Sequence, residues 1–159
     1  MVTRMAHQTQ VSPAADVGTL FVAGVLGYVA WEIWATVIAP SAFLGRALTI
    51  DHIIGPAFGI GDFISTLFVQ VALAVAVYPL LYYFLYRPLT RSMEVNWVIS
   101  VVVYGAILWF LTTFVFAHLM LGYSAFFGFN DYSLGILGGQ IVYSATLSIV
   151  MRARDPNAD

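Results

Sequence analysis

The chain alternates between four long apolar runs and shorter stretches in which polar residues, glycine and proline are concentrated. The four runs cover residues 17–40, 62–86, 97–122 and 133–151. Each run is long enough to cross the hydrocarbon core of a bilayer, which takes about 20 residues in a helix. The pattern therefore predicts an all-α polytopic membrane protein, folded as an antiparallel four-helix transmembrane bundle with short connections.

Prolines and polar residues set the expected ends of these helices. Pro40 has no main-chain N–H and is expected to end the first helix. Pro79 is expected to kink the second helix, and neighbouring helices must then satisfy the main-chain groups that it leaves unpaired. The stretch 41–61 is predicted to be a surface loop with a short helix lying in the membrane interface. Residues 87–96 are predicted to form a polar turn.

Composition supports the membrane assignment and excludes several functions. Hydrophobic residues make up 61% of the chain and charged residues 9%, with a mean hydropathy of +0.89. Soluble domains have about 25% charged residues, so a water-soluble globule is excluded. The basic residues are six arginines without a cluster, so nucleic acid is not an expected partner. The absence of cysteine excludes disulfides and thiolate metal sites.

The arginines are distributed unevenly between the two ends of the predicted spans. One end carries the polar tails 1–16 and 152–159 and the second connection, with Arg4, Arg87, Arg91, Arg152 and Arg154. The other end carries only Arg46. Because arginine marks cytoplasmic loops, both termini are expected in the cytoplasm. Aromatic residues near the ends are expected to form interfacial belts, with Tyr82, Tyr83, Tyr86 and Trp97 inside and Tyr123 and Tyr132 outside.

Two similar segments follow the odd-numbered helices. The sequence SAFLG occupies residues 41–45 after the first helix, and SAFFG occupies residues 124–128 after the third. In the even-numbered helices, a glutamine precedes a tyrosine and then an arginine in both cases. A duplication of one helix pair, giving a 2+2 internal repeat, would produce this pattern.

Each predicted helix carries one strongly polar side chain in its outer half. These side chains are Glu32, Gln70, His118 and Gln140. With a rise of 1.5 Å per residue, the first, second and fourth lie about 12 Å below the outer surface and His118 about 6 Å. Helical spacing adds Thr36 on the face of Glu32 and Ser144 on the face of Gln140. In an antiparallel bundle these faces can meet as one hydrogen-bonded layer.

This polar layer has three interpretations. In the first, the carboxamides and hydroxyls join the helices by hydrogen bonds, and Glu32 is protonated or paired with His118. In the second, Glu32 and His118 form a proton-handling pair, since desolvation shifts both groups towards neutral pKa values. In the third, Glu32 faces a partner subunit. The sequence leaves all three open.

Metal and enzyme chemistry have weaker support. Candidate metal ligands exist on the predicted outer side (Glu32, Asp51, His52, Asp62 and His118), but no HExxH or ExxH pair is present, and neither metal nor haem is expected. No GxSxG motif and no paired carboxylates occur. The protein is therefore expected not to be an enzyme and to carry no cofactor. Its aromatic content of 16% is compatible with lipid, quinone or pigment bound at the surface.

Three segments carry a family resemblance: GVLGYVAWEIWATVIAP, HLMLGYSAFFGF and LGGQIVYSATLSIVMRARD. Together they resemble the YagU-like group of small, uncharacterised four-helix bacterial membrane proteins, although the second connection is shorter and less charged here. The resemblance implies an inner-membrane location and assigns no catalytic residues.

Two function classes follow from the sequence. The first is a non-catalytic accessory subunit that packs on a larger membrane complex of the respiratory or photosynthetic electron-transfer type, because short loops leave little for the bundle to do alone. The second is a small homo-oligomeric transporter or proton-conducting protein that uses Glu32 and His118. The expected surroundings are the lipid bilayer and larger membrane subunits.

Overall fold

The computed structural model describes residues 13–154, and within this part of the chain the fold is all-α, without strands. The described residues form a short α-helix, a short 3-10 helix over Ala125–Phe129 and four long helices. The α-helices are α1 over residues 13–44, α2 over Asp51–Ala57, α3 over residues 63–92, α4 over Trp97–Met120 and α5 over Asp131–Ala153. The four long helices are long and apolar enough to cross a membrane, which confirms the all-α, multi-pass prediction. The predicted tails 1–16 and 152–159 lie largely outside the described residues.

Helix α1 does not end at Pro40, so that prediction is wrong. The α-helical part, Pro13–Ile33, passes into two π-helical segments, Trp34–Ile38 and Pro40–Leu44. The missing N–H of Pro40 leaves the Ala35 carbonyl unpaired within the helix, and the main-chain N–H of Leu48 donates to that carbonyl at 2.9 Å. The helix ends only at Gly45, which adopts φ 67° and donates to the Pro40 carbonyl.

Helix α3 shows the same arrangement around Pro79. The π-helical segment Leu73–Val77 precedes this proline, and the Tyr78 N–H donates to the Leu73 carbonyl. The Ala74 carbonyl is thereby left without a helical donor, because Pro79 has no N–H to offer it. The Tyr143 hydroxyl on α5 donates to this carbonyl at 2.6 Å. A neighbouring helix therefore supplies the missing bond, as expected from sequence.

The predicted polar turn at residues 87–96 is also shorter than expected. Helical structure continues through Tyr82–Tyr86 and Arg87–Ser92, so only residues 93–96 connect α3 to α4. Thr90 extends the helix by donating from its hydroxyl to the carbonyls of Tyr86 and Arg87. Where the helix continues beyond the apolar run, its main-chain N–H and C=O groups bond to one another. In a turn, these groups would have to bond to solvent instead.

Three of the long helices begin at an aspartate or asparagine cap. Asp62 accepts from the Ser65 N–H at 2.8 Å, Asn96 from Val98 at 2.9 Å and Asn130 from Ser133 at 3.0 Å. The main-chain hydrogen bond from Ser65 lowers the pKa of the Asp62 carboxyl below its ordinary value. The ionised Asp62 carboxyl therefore stabilises the fold above its ordinary pKa. This stabilisation is lost as the pH falls through the lowered pKa of the folded state.

The predicted short helix in the stretch 41–61 is present as α2, and it packs against the bundle. Ile53 and Ile54 are fully buried and belong to the core that contains Trp31 and Ile136. Gly55 lies so close to Thr66 of α3 that a β-carbon there would meet the threonine hydroxyl at 2.4 Å. The first loop therefore folds back between α3 and the end of α4 and closes that end of the bundle.

The long helices pack through close contacts at glycines. Helix α1 packs against α3 and α5, and α5 also packs against α4. Gly139 lies against the Trp31 ring, Gly27 against the Tyr143 ring and Gly105 against the main chain of Ile141. These contacts bring the backbones close enough for dispersion forces to hold the helices together in an apolar environment.

We expect Gly24→Ala to lower the free energy of unfolding in detergent by about 1–3 kcal/mol, the usual cost of overpacking. A β-carbon at Gly24 would lie 2.6 Å from the Val75 carbonyl oxygen and 2.8 Å from its Cα, and neither main-chain atom can turn aside.

The matched control is Gly18→Ala in the same helix, where a β-carbon would have no neighbour within 4 Å. Alanine favours helix over glycine by roughly 0.5–1 kcal/mol, so this variant should be neutral or slightly stabilised. Equal unfolding midpoints for the two variants would contradict the close approach of α1 and α3.

Candidate functional site

Glu32 lies close to the middle of α1 and is half-buried. The Tyr28 side chain, one helical turn earlier, is close enough to interact with its carboxylate. Because α1 continues to Leu44, Glu32 is twelve residues from that end of the span, or about 18 Å, and not the 12 Å expected from an end at Pro40. The adjacent side chains Val29 and Ile33 are 47% and 50% exposed, so the carboxylate borders an outward-facing apolar surface.

Gln70 and Gln140 are brought together in the interior. Both line one small cavity of about 20 Å³, together with Tyr28 and Trp31. The cavity is lined mostly by apolar surface, and Tyr28, Gln70 and Gln140 bring residues of α1, α3 and α5 to it.

Thr36 and Ser144 bond within their own helices. The Thr36 hydroxyl donates to the Glu32 carbonyl at 2.6 Å, and the Ser144 hydroxyl donates to the Gln140 carbonyl at 2.7 Å. Ser144 is fully buried, whereas Thr36 is exposed beside Glu32. Neither hydroxyl therefore acts as a donor between helices, although both lie on the faces that helical spacing predicted.

His118 lies apart from these residues. It is two residues from the end of α4, and its Nδ1 atom is 2.7 Å from the Tyr123 carbonyl oxygen in the following loop. Its ring also contacts Phe114 one turn earlier. The part of α4 that carries His118, Leu111–Met120, packs against α2 and the loop that follows α4, whereas Glu32 is on α1. The structure thus gives the two residues of the predicted pair separate partners.

Buried tyrosines form a second polar system, which the sequence analysis missed. Tyr82 and Tyr86 are only 7% exposed, so their prediction as interfacial residues is wrong. Their hydroxyls, and that of Tyr104, are used inside the bundle: Tyr86 donates to the Ser100 carbonyl, Tyr104 to the Tyr78 carbonyl and Tyr82 to the Ser148 hydroxyl. The spacing of residues 78, 82 and 86 by four was the available signal, since it places all three on one helix face.

The candidate metal ligands are not grouped within the described residues. Residues 13–154 contain no group of three or more His, Asp or Glu side chains arranged to hold a metal ion. The site can instead accept and donate hydrogen bonds inside an apolar bundle, and it presents one carboxylate at the outer surface of α1.

Comparisons with protein-family models, curated proteins and solved structures find no match to this chain.

We expect Tyr143→Phe to destabilise the bundle by about 1–3 kcal/mol, because it leaves the buried Ala74 carbonyl without any donor. This loss exceeds the roughly 0.6 kcal/mol average for hydrogen bonds between membrane helices, where the freed groups usually find other partners. Unfolding in mixed detergent micelles would measure it.

Tyr123→Phe removes a hydroxyl from a residue that is 41% exposed and serves as the control, with little expected change. Equal unfolding midpoints for the two variants would contradict a stabilising role of the hydrogen bond from the Tyr143 hydroxyl to the Ala74 carbonyl.

Proposed function

We propose that this chain is a non-catalytic accessory subunit of a larger membrane complex, of the electron-transfer type, in the inner membrane of a bacterium. The observation that carries the proposal is the half-buried Glu32 carboxylate at the edge of an outward-facing apolar surface of α1. The surrounding side chains Val25, Val29, Ile33 and Val37 are between 36% and 60% exposed. We call these residues and Glu32 the α1 surface.

The energetics of a carboxylate at this depth favour a protein partner. A carboxylate at the centre of a membrane helix costs about 2.5–3.5 kcal/mol on insertion scales. Hydrogen bonds to charged groups contribute about 1.5–3 kcal/mol each, so donors close to the carboxylate offset that cost. The neighbouring side chains Val29 and Ile33 are exposed. A partner helix on this side of α1 would supply a donor side chain, whereas lipid tails cannot.

The orientation that we propose has both termini in the cytoplasm. Arg87 and Arg152 lie at the same end of the bundle, each with its guanidinium near an aromatic ring: Arg87 is 5.8 Å from the Tyr83 centroid and Arg152 is 5.7 Å from the Trp97 centroid. Arg46 follows α1 at the opposite end. This distribution supports the positive-inside assignment.

Contacts between helices support the antiparallel arrangement. Near the end of α1, the Trp34 indole N–H donates to the Gly135 carbonyl near the beginning of α5. Near the end of α3, the Tyr86 hydroxyl donates to the Ser100 carbonyl near the beginning of α4. In both pairs, a residue near the end of one helix contacts a residue near the beginning of the other. Neighbouring helices in an up-and-down bundle make contacts of this kind.

The proton-conducting alternative has less geometric support. It requires Glu32 and His118 to exchange protons directly or through a short chain of donors. His118 contacts Phe114 and the Tyr123 carbonyl, whereas Glu32 interacts with Tyr28 of its own helix. An accessory role needs only the α1 surface, so it uses fewer assumptions.

The direct test is extraction of native membranes in a gentle detergent, followed by affinity purification of the full chain and mass analysis. We expect larger membrane subunits to co-purify with the wild type. Glu32→Ala should release most of them, whereas Glu32→Gln should retain a substantial part, because a carboxamide still accepts hydrogen bonds.

The control is Glu94→Ala, which removes an exposed carboxylate in the connection between α3 and α4. It should co-purify the same subunits as the wild type. A chain that purifies alone or only with copies of itself would refute the accessory role.

A further inference from the structure

A second feature lies at the end of the bundle that carries the first loop. An open groove of about 450 Å³ runs between residues 46–52 and the segment that leads into α5. Its walls include Arg46, His52, Tyr123, Phe127, Asn130 and Tyr132. Ligand sites in proteins have volumes of about 300–1,000 Å³, so the groove is large enough for a small molecule or a headgroup. We call it the loop groove.

Aromatic rings form one wall of the loop groove and hold one another in place. Phe127 contacts Tyr132 edge-on at 5.4 Å and Tyr123 at 5.5 Å between ring centroids. His52 lies 5.8 Å from the Tyr132 ring. Phe127 itself adopts φ 51°, a left-handed conformation that is unfavourable for a residue with a β-carbon. The surrounding contacts therefore fix this ring against its backbone preference.

The free polar groups of the loop groove are mostly donors. The Tyr132 hydroxyl already donates to the Thr49 carbonyl, and the Asn130 side-chain oxygen already accepts from the Ser133 N–H. The Asn130 amide nitrogen, the Tyr123 hydroxyl and the exposed Arg46 guanidinium lie on the same groove. Arginine presents five N–H donors in a planar fork that matches the oxygens of a phosphate.

The groove also lies at the level where a lipid headgroup would be. Arg46 is two residues beyond the last residue of the α1 span, and Asn130 immediately precedes the α5 span. Tyrosine and arginine at this depth are typical of the boundary between hydrocarbon and headgroups. One acidic group, Asp51 at the start of α2, is close enough to act electrostatically on Tyr132, but it does not line the groove.

We propose that the loop groove binds a phosphate group, with Arg46 as the charged ligand and Asn130 and Tyr123 as additional donors. If the phosphate belongs to a phospholipid, the aromatic wall packs against the apolar part of that lipid. The phosphate belongs either to the headgroup of an anionic phospholipid or to a free phosphate anion. The proposal does not depend on the accessory role, because it uses no residue of the α1 surface.

The test uses the full-length protein in detergent, wild type and Arg46→Gln, with two probes. Phosphatidylglycerol is titrated and counted by native mass spectrometry, and inorganic phosphate is titrated while the unfolding temperature is recorded. We expect Arg46→Gln to weaken phosphatidylglycerol binding about tenfold, the effect of losing one charge-assisted hydrogen bond of about 1.4 kcal/mol. Tyr123→Phe should weaken it less.

The matched control is Arg154→Gln, which removes an exposed arginine at the opposite end of the bundle. Lipid binding that depends on Arg46 but not on Arg154, without an effect of inorganic phosphate, supports the headgroup. Stabilisation of the wild type but not of Arg46→Gln by inorganic phosphate supports the free anion. Equal phosphatidylglycerol binding by wild type and Arg46→Gln without phosphate stabilisation, or equal losses in the Arg46 and Arg154 variants, would overturn the proposal.

Discussion

Main-chain carbonyls that prolines leave unpaired inside an apolar bundle are the constraint on which this structure depends. Pro40 and Pro79 each deprive a carbonyl five residues earlier of its π-helical donor. In a membrane no water is present to replace that donor. The protein satisfies one carbonyl with the Leu48 N–H and the other with the Tyr143 hydroxyl. These two bonds tie the first loop to α1 and join α3 to α5.

The same requirement explains how polar groups are divided between the interior and the surface. Within the described residues, every buried side-chain nitrogen or oxygen has a hydrogen-bond partner. The tyrosine hydroxyls bond to carbonyls or to a serine, and the hydroxyls of Thr112 and Thr113 bond to their own helix. Glu32 differs because it borders the outer surface of α1.

The sequence predicted the four spans because their apolar runs are long and uninterrupted, and length with hydropathy is enough for that purpose. It mispredicted the end of α1 because the rule that proline ends a helix ignores donors from elsewhere, and here Leu48 provides one. The end of α3 was missed because residues 87–92 are polar but remain helical. The local sequence pattern does not show that Leu48 donates to the Ala35 carbonyl or that α3 continues through residues 87–92.

Within the candidate site, helical spacing placed Gln70 and Gln140 on faces that could meet, and in the structure both line one cavity. Spacing could not show the contacts of each side chain, and those of His118 are with Phe114 and the Tyr123 carbonyl. Depth along a helix also depends on where the helix ends, and the error at Pro40 therefore misplaced Glu32 as well. The loop groove was not predicted, because its walls come from two connections that are distant in sequence.

The central claim is that another protein covers the α1 surface. Photo-crosslinking in native membranes tests it most directly. A photoreactive residue in place of Ile33, beside Glu32, is compared with one in place of Val102 on α4, which is similarly exposed. If a partner protein covers the α1 surface, crosslinking from position 33 gives a discrete protein adduct of higher mass. Crosslinking from position 102 then gives mainly lipid adducts. Lipid adducts alone at both positions would contradict the claim.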